Sequence, residues 1–67
     1  MEKVTLQGLA PRRRAAQLTQ AQFADLLGVD RGRVAMWETG KSLPLAQLLP
    51  AIATLLNCSI DDLFHAA

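Results

Sequence analysis

Arg31 and Arg33 stand either side of Gly32 in the stretch GVDRGRVAMWETGK, residues 28–41. An arginine presents a planar fork of donors that fits phosphate oxygens, or the O6 and N7 edge of a guanine. Charge along the chain points the same way. All seven lysines and arginines lie within residues 1–41 against four acids, a net +3. Residues 42–67 carry only Asp61 and Asp62, a net −2. A basic end and an acidic end favour an anionic partner at the first.

Other reactive side chains form no constellation. His65 is a lone histidine with no second His or serine partner, which speaks against a metal site or a catalytic triad. The single cysteine, Cys58, cannot close an internal disulfide and fits a reducing compartment; its type suits a small buried apolar residue. Asp61 and Asp62 are neighbours on a helix and point in different directions, so capping suits them better than paired acid–base work. Phosphate-binding loops and zinc spacings are absent. The sequence therefore implies no catalytic residue, no metal, no cofactor and no enzyme.

The elements that position the arginines follow from pattern. At 67 residues the chain makes one small domain, and its composition, 51% hydrophobic but 4% aromatic, suits closely packed helices. It holds no apolar run of about 18 residues and opens on no leader-like segment, implying a cytoplasmic protein without a membrane partner. Residues 1–8 read as a partly ordered start, 9–64 as the domain and 65–67 as a tail. A first helix is expected over residues 9–17, with Leu9 and Ala16 inward. Pro11 fits its first turn, or bends a helix that begins nearer Thr5.

Thr19-Gln20-Ala21-Gln22 spells a capping box that opens a second helix, with Leu18 stapling its start and Phe23, Ala24 and Leu27 on one face. Gly28 stops it. Asp30 suits the N-cap of a third helix to residue 38 or 39, on which Val34 and Trp37 face inward and Glu38 sits at the edge. Gly32, Ala35, Met36 and Thr39 make the outward face, flanked by Arg31 and Arg33, and Gly40 ends the helix. Two short helices joined by a tight turn form a helix-turn-helix over residues 19–39. A fourth helix is expected over residues 45–56, where Pro50 requires a kink or a later start. Ser59 to Asp62 cap a short fifth helix with Leu63 and Phe64 inward.

Leu18-Thr19-Gln20, Phe23-Ala24, Leu27-Gly28-Val29, Val34, Trp37-Glu38, Gly40-Lys41, Pro44 and Ile60 to Phe64 together resemble the Cro and lambda-repressor-type helix-turn-helix domains, the XRE family. The match runs from residue 9 to residue 64. It implies an all-α fold, a lambda-repressor-like bundle of five short helices, with residues 30–39 as the recognition helix. It further implies that Arg31, Gly32 and Met36 face DNA bases. Gln20, Arg33, Thr39 and Lys41 would hold phosphates, and Arg13 would pair internally with Glu38. Gly32 would let the helix approach the bases, and Met36 would pack on a thymine methyl.

The implied function is sequence-specific binding of double-stranded DNA by a small transcriptional regulator, a repressor, dimerised through its C-terminal half near Leu55, Ile60 and Phe64. The chain departs from the family at Asp30, where Ser or Thr is usual, because a carboxylate there repels phosphates. The outward face is also poor in hydrogen-bonding groups. These departures fit an alternative, a protein-interaction module or antitoxin-like partner that keeps the fold with little DNA readout.

Overall fold

The computed structural model describes residues 4–66, and every regular element among them is helical. In chain order these are α1 (Leu9–Ala15), α2 (Gln20–Leu27), α3 (Arg31–Thr39), a 3-10 turn (Ala46–Leu48), α4 (Leu49–Leu55) and a second 3-10 turn (Asp61–Phe64). Leu9, Phe23, Val34, Ile52 and Leu63 are fully buried, one from each of the four helices and one from the final turn. Leu6, Ala24, Trp37, Ala53 and Leu56 complete the core around them.

Each α-helix stops in the same way. A residue in the left-handed region turns the chain, and the next amide reaches back to the carbonyl five residues earlier. Gly28 (φ 75°) and Gly40 (φ 79°) do this after α2 and α3, where the missing Cβ removes the strain. Gln17 (φ 61°) and Asn57 (φ 54°) do it after α1 and α4. The returning bonds are Leu18 N–H to Arg13 O at 3.2 Å, Val29 N–H to Ala24 O at 3.0 Å, Lys41 N–H to Met36 O at 2.9 Å and Cys58 N–H to Ala53 O at 3.0 Å. The turn after α2 therefore has a fixed angle, and α2 and α3 pack against each other more extensively than any other pair of elements.

Several expected boundaries move. The first helix covers Leu9–Ala15 rather than residues 9–17, and Ala16 is exposed. Its start at Leu9 puts Pro11 in the first turn, where the amide has no helical partner to lose, so no bend is needed. The single helix expected over residues 45–56 is divided. Inside such a helix the Pro50 ring would clash with the carbonyl four residues before it. The chain instead makes a 3-10 turn and begins α4 at Leu49, again with proline in the first turn. The fifth helix is a 3-10 turn, and Phe64 is only half-buried.

Of residues 1–8, expected as a partly ordered start, residues 1–3 lie outside the described residues, while Leu6 is 2% exposed and belongs to the core. The Gly8 amide donates to Leu63 O at 3.0 Å. A Cβ on Gly8 would overlap the carbonyl oxygens of Asp62 and His65, so this crossing admits only glycine. Thr5 lies against Gly40 at the end of α3. The N-terminal segment thus spans from the end of α3 to the C-terminal turn.

Candidate nucleic-acid interface

The start of α2 is set locally. Thr19 Oγ1 accepts from Gln22 N–H at 3.0 Å, and Gln22 Oε1 accepts from Thr19 N–H at 2.9 Å. This reciprocal box satisfies two amides that a helix start leaves open, and it fixes Gln20 as the first helical residue. α3 is held by one face, Val34 and Trp37, both buried.

A charged cluster beneath α3 adds orientation. Arg13 Nε donates to Glu38 Oε2 at 2.6 Å and Nη2 to Glu38 Oε1 at 3.2 Å, while Nη1 donates to Leu18 O at 2.8 Å. Both side chains are nearly buried, at 10% and 8% exposure. Gln20 Nε2 also donates to Glu38 Oε1, at 3.0 Å. One carboxylate therefore ties α1, the start of α2 and the end of α3 together. A planar bidentate pair with a third bond fixes angle as well as distance.

The outward face of α3 presents Arg31, Gly32 and Met36, all exposed, Met36 at 40%. Arg31 has no side-chain partner among the described residues. Arg33 does: its Nε lies 3.3 Å from Asp30 Oδ1, with both side chains largely exposed. Asp30 occupies the N-cap position with extended backbone, but its carboxylate makes no capping hydrogen bond, contrary to the role its type suggested. The guanidinium three residues on competes for it and wins.

Thr39 Oγ1 donates within its own helix, to Ala35 O at 3.0 Å and Met36 O at 3.3 Å, so its proton is engaged. Lys41 is exposed just past Gly40. Gln20, Thr39 and Lys41 gather at the C-terminal end of α3, with Arg31 and Arg33 at the other, about 12 Å away at 1.5 Å per residue.

Two features escaped the sequence pattern. Beside Met36 a groove of about 360 Å³ opens between α3 and the following loop, lined by Arg33, Trp37, Ser42, Leu43 and Leu45 among others. Leu43 and Leu45 are exposed, and nothing in their periodicity marked them. Arg12 is half-buried with its Nε shielded and unpaired in a shallow cleft beside Ala15, Leu55 and Asn57. A long side chain can lie along apolar surface in this way.

Away from α3 the titrating groups serve structure. Burial pushes the Cys58 thiol upward, against the opposing effect of Arg12. The Asp62 carboxyl lies below the usual range because Ser59 donates to it, its backbone N–H to Oδ2 at 3.1 Å, and Ser59 Oγ accepts from Asp62 N–H at 3.0 Å. His65 Nε2 sits 3.6 Å from Asp61 Oδ2, both exposed. Among the described residues no group of three or more His, Cys, Asp or Glu could hold a metal ion, and no helix is long and apolar enough to cross a membrane.

The model of the helix-turn-helix family matches residues 12–63. The chain belongs to the XRE-type helix-turn-helix family. Over 55 residues it is 42% identical to the transcriptional repressor RstR of the cryptic phage CTXphi, from Vibrio cholerae serotype O1. That alignment covers 82% of this chain and 49% of RstR, so the chain spans about half the length of that relative. Among solved structures, the P22 c2 repressor protein in complex with synthetic operator 9T superposes with a TM-score of 0.81 at 28% identity, covering 94% of this chain and 98% of that one.

The fold of this family member is accordingly all-α and lambda-repressor-like. Fe(II)-HppE with the alternative substrate (S)-1-HPP is also similar, with a TM-score of 0.75 at 36% identity, covering 96% of this chain but 35% of that one.

Proposed function

We propose that this protein binds double-stranded DNA as a transcriptional repressor, with α3 in the major groove and α2 across the backbone. The observation that carries the reading is the Arg13–Glu38–Gln20 cluster. It is a device for holding one helix at a set angle, and the face so held presents Arg31, Gly32 and Met36. Arg31 supplies a bidentate fork for a guanine edge, and Met36 an apolar surface for a thymine methyl. Gln20 keeps a second amide hydrogen for a phosphate. Lys41 reaches a phosphate at the far end of α3, and Thr39 does so once its hydroxyl turns from the helix carbonyls. Arg33, which the resemblance assigns to a phosphate, is instead engaged by Asp30. The operator complex of the P22 c2 repressor supports this geometry.

One such helix reads few base pairs. We therefore infer a homodimer on half-sites about 34–36 Å apart, formed through the C-terminal half. Ile60, 40% exposed, would centre that contact, with the half-buried Leu55 and Phe64 beside it. The protein acts in the cytoplasm, without catalysis or cofactor.

The test is an NMR titration of labelled protein with a random-sequence duplex at low and then physiological salt. Shifts at Gln20, Arg31 to Arg33, Met36, Thr39 and Lys41 that fade with salt are expected, because each phosphate contact contributes a salt-dependent term. Absence of shifts at low salt would sink the reading. It would favour the alternative, an interaction module, which the engagement of Arg33 by Asp30 supports.

A further inference from the structure

Asp30 needs an account that neither capping nor phosphate contact provides. Its carboxylate caps nothing, and a carboxylate cannot approach a phosphate favourably. Its position is nevertheless defined. Oδ1 lies 3.3 Å from Arg33 Nε. Oδ2 lies 3.0 Å from where a Cβ on Gly32 would stand. At about 100° per residue, Gly32, Met36 and Thr39 fall within about 60° of one another, opposite Val34 and Trp37. Gly32 therefore gives Asp30 Oδ2 a place on the outward face of α3, with the Arg33 guanidinium at its side.

We propose that Asp30 and Arg33 act as one reading unit for a C·G base pair, a role that rests on the DNA-binding reading above. A carboxylate only accepts hydrogen bonds and a guanidinium only donates them. In the major groove a C·G pair presents the cytosine N4 amino donor next to the guanine O6 and N7 acceptors. The ion pair offers the complementary order, an acceptor beside donors. An A·T pair offers its single donor, adenine N6, between two acceptors, N7 and thymine O4, which repel a carboxylate on either side. A T·A pair keeps the same acceptor–donor–acceptor order, and a G·C pair reverses the order of C·G. The substitution that weakens phosphate binding thus supplies base discrimination, on a face where Gly32 and Met36 supply no hydrogen bonds. Gly32 belongs to the unit, because a methyl group there would press on Oδ2 at 3.0 Å and shift it by a few tenths of an ångström.

The experiment is selection from a random duplex pool with the wild-type protein, Asp30→Asn and Gly32→Ala, followed by binding titrations. Asp30→Asn leaves the fold intact, since the carboxylate makes no capping bond. The wild type is expected to select a C·G pair in each half-site at one position where both variants lose the preference while keeping the rest of the site. Replacing that cytosine by 2-pyrimidinone, which lacks the amino group, should weaken the wild type by about 5- to 150-fold. Asp30→Asn should tolerate the replacement, which controls for the lost Watson–Crick hydrogen bond. If Asp30→Asn instead tightens binding to all sequences by one factor with preferences unchanged, the carboxylate merely repels phosphate and the assignment is overturned while DNA binding stands. If the wild type binds no duplex at low salt, the DNA reading fails, and this assignment fails with it.

Discussion

Arg13→Ala tests the claim that a buried ion pair orients α3. The substitution removes three hydrogen bonds, two to Glu38 and one to Leu18 O, from a guanidinium 10% exposed. It leaves the Glu38 carboxylate, 8% exposed, with Gln20 as its one remaining side-chain donor among the described residues. Breaking a buried pair from one side costs about 3–5 kcal/mol, because a charge is stranded. A chain of 67 residues has roughly 3–10 kcal/mol of stability at roughly 0.05–0.15 kcal/mol per residue. The variant should therefore lose about a third of its stability or more.

The sole tryptophan, Trp37, is 3% exposed and belongs to the helix in question, so its emission reports the opening directly. Urea unfolding followed by that emission should move its midpoint by about 3 M or more, at roughly 1 kcal/mol per M for a small domain. The companion variant Arg13→Met with Glu38→Leu removes both charges and should recover stability, since apolar replacement of a buried pair is commonly neutral or better. It should nevertheless bind DNA more weakly, having lost the fork that fixes the helix angle. A loss below about 1 kcal/mol for Arg13→Ala, the range of exposed pairs, would refute the reasoning. So would a double variant that binds DNA as the wild type does.

Other consequences follow from single contacts. Gly8→Ala should destabilise by about 1–3 kcal/mol through overlap with the Asp62 and His65 carbonyls, lowering Tm by at least about 4 °C in calorimetry; an unchanged Tm would refute that crossing. The Asp62 carboxyl should titrate by NMR below the ordinary aspartate range, moving upward in Ser59→Ala. Because its pKa is depressed on folding, its contribution to stability is present above the ordinary aspartate value and is lost as pH falls through the lowered one; an ordinary midpoint would contradict the Ser59 bonds. Lys41→Ala should weaken DNA binding evenly across sequences and reduce the slope of log K against log salt by about 1 in fluorescence titrations, whereas a sequence-dependent loss would place Lys41 on a base.

Local chemistry made the motif legible. The Thr19–Gln22 box, the Gly28 and Gly40 stops and the spacing of Val34 and Trp37 each follow from residues within a few positions of one another. The features that escaped depend on distant chain. Leu6 and Gly8 join the core by meeting the turn at Leu63, and neither carries a local sign of that partner. Pro50 announced a break in the helix expected over residues 45–56, but its place, after a 3-10 turn, follows from where the proline ring finds a first turn. Asp30 holds the N-cap position expected of it but makes no capping bond, for a different reason. Two local preferences, a cap and an ion pair with Arg33, compete at the same carboxylate, and the type of residue alone cannot rank them.

Charge is where the linear reading and the fold differ most. Seven cations within residues 1–41 suggest a broadly basic surface. In the folded chain Arg13 is committed to Glu38 and Arg33 to Asp30. Arg12 lies in a cleft beside Leu55 and Asn57 and acts on Cys58 and Asp62, at the acidic end of the sequence. Among the described residues Arg31 and Lys41 remain, one at each end of α3, with Arg14 exposed elsewhere on α1. Two cations on the outward side of α3 attract DNA weakly without regard to sequence. On the proposed reading, a second protomer adds affinity, and selectivity depends on what the outward face of α3 can discriminate. The Asp30 carboxylate adds repulsion from every phosphate, so a site must offset that repulsion with matched base edges.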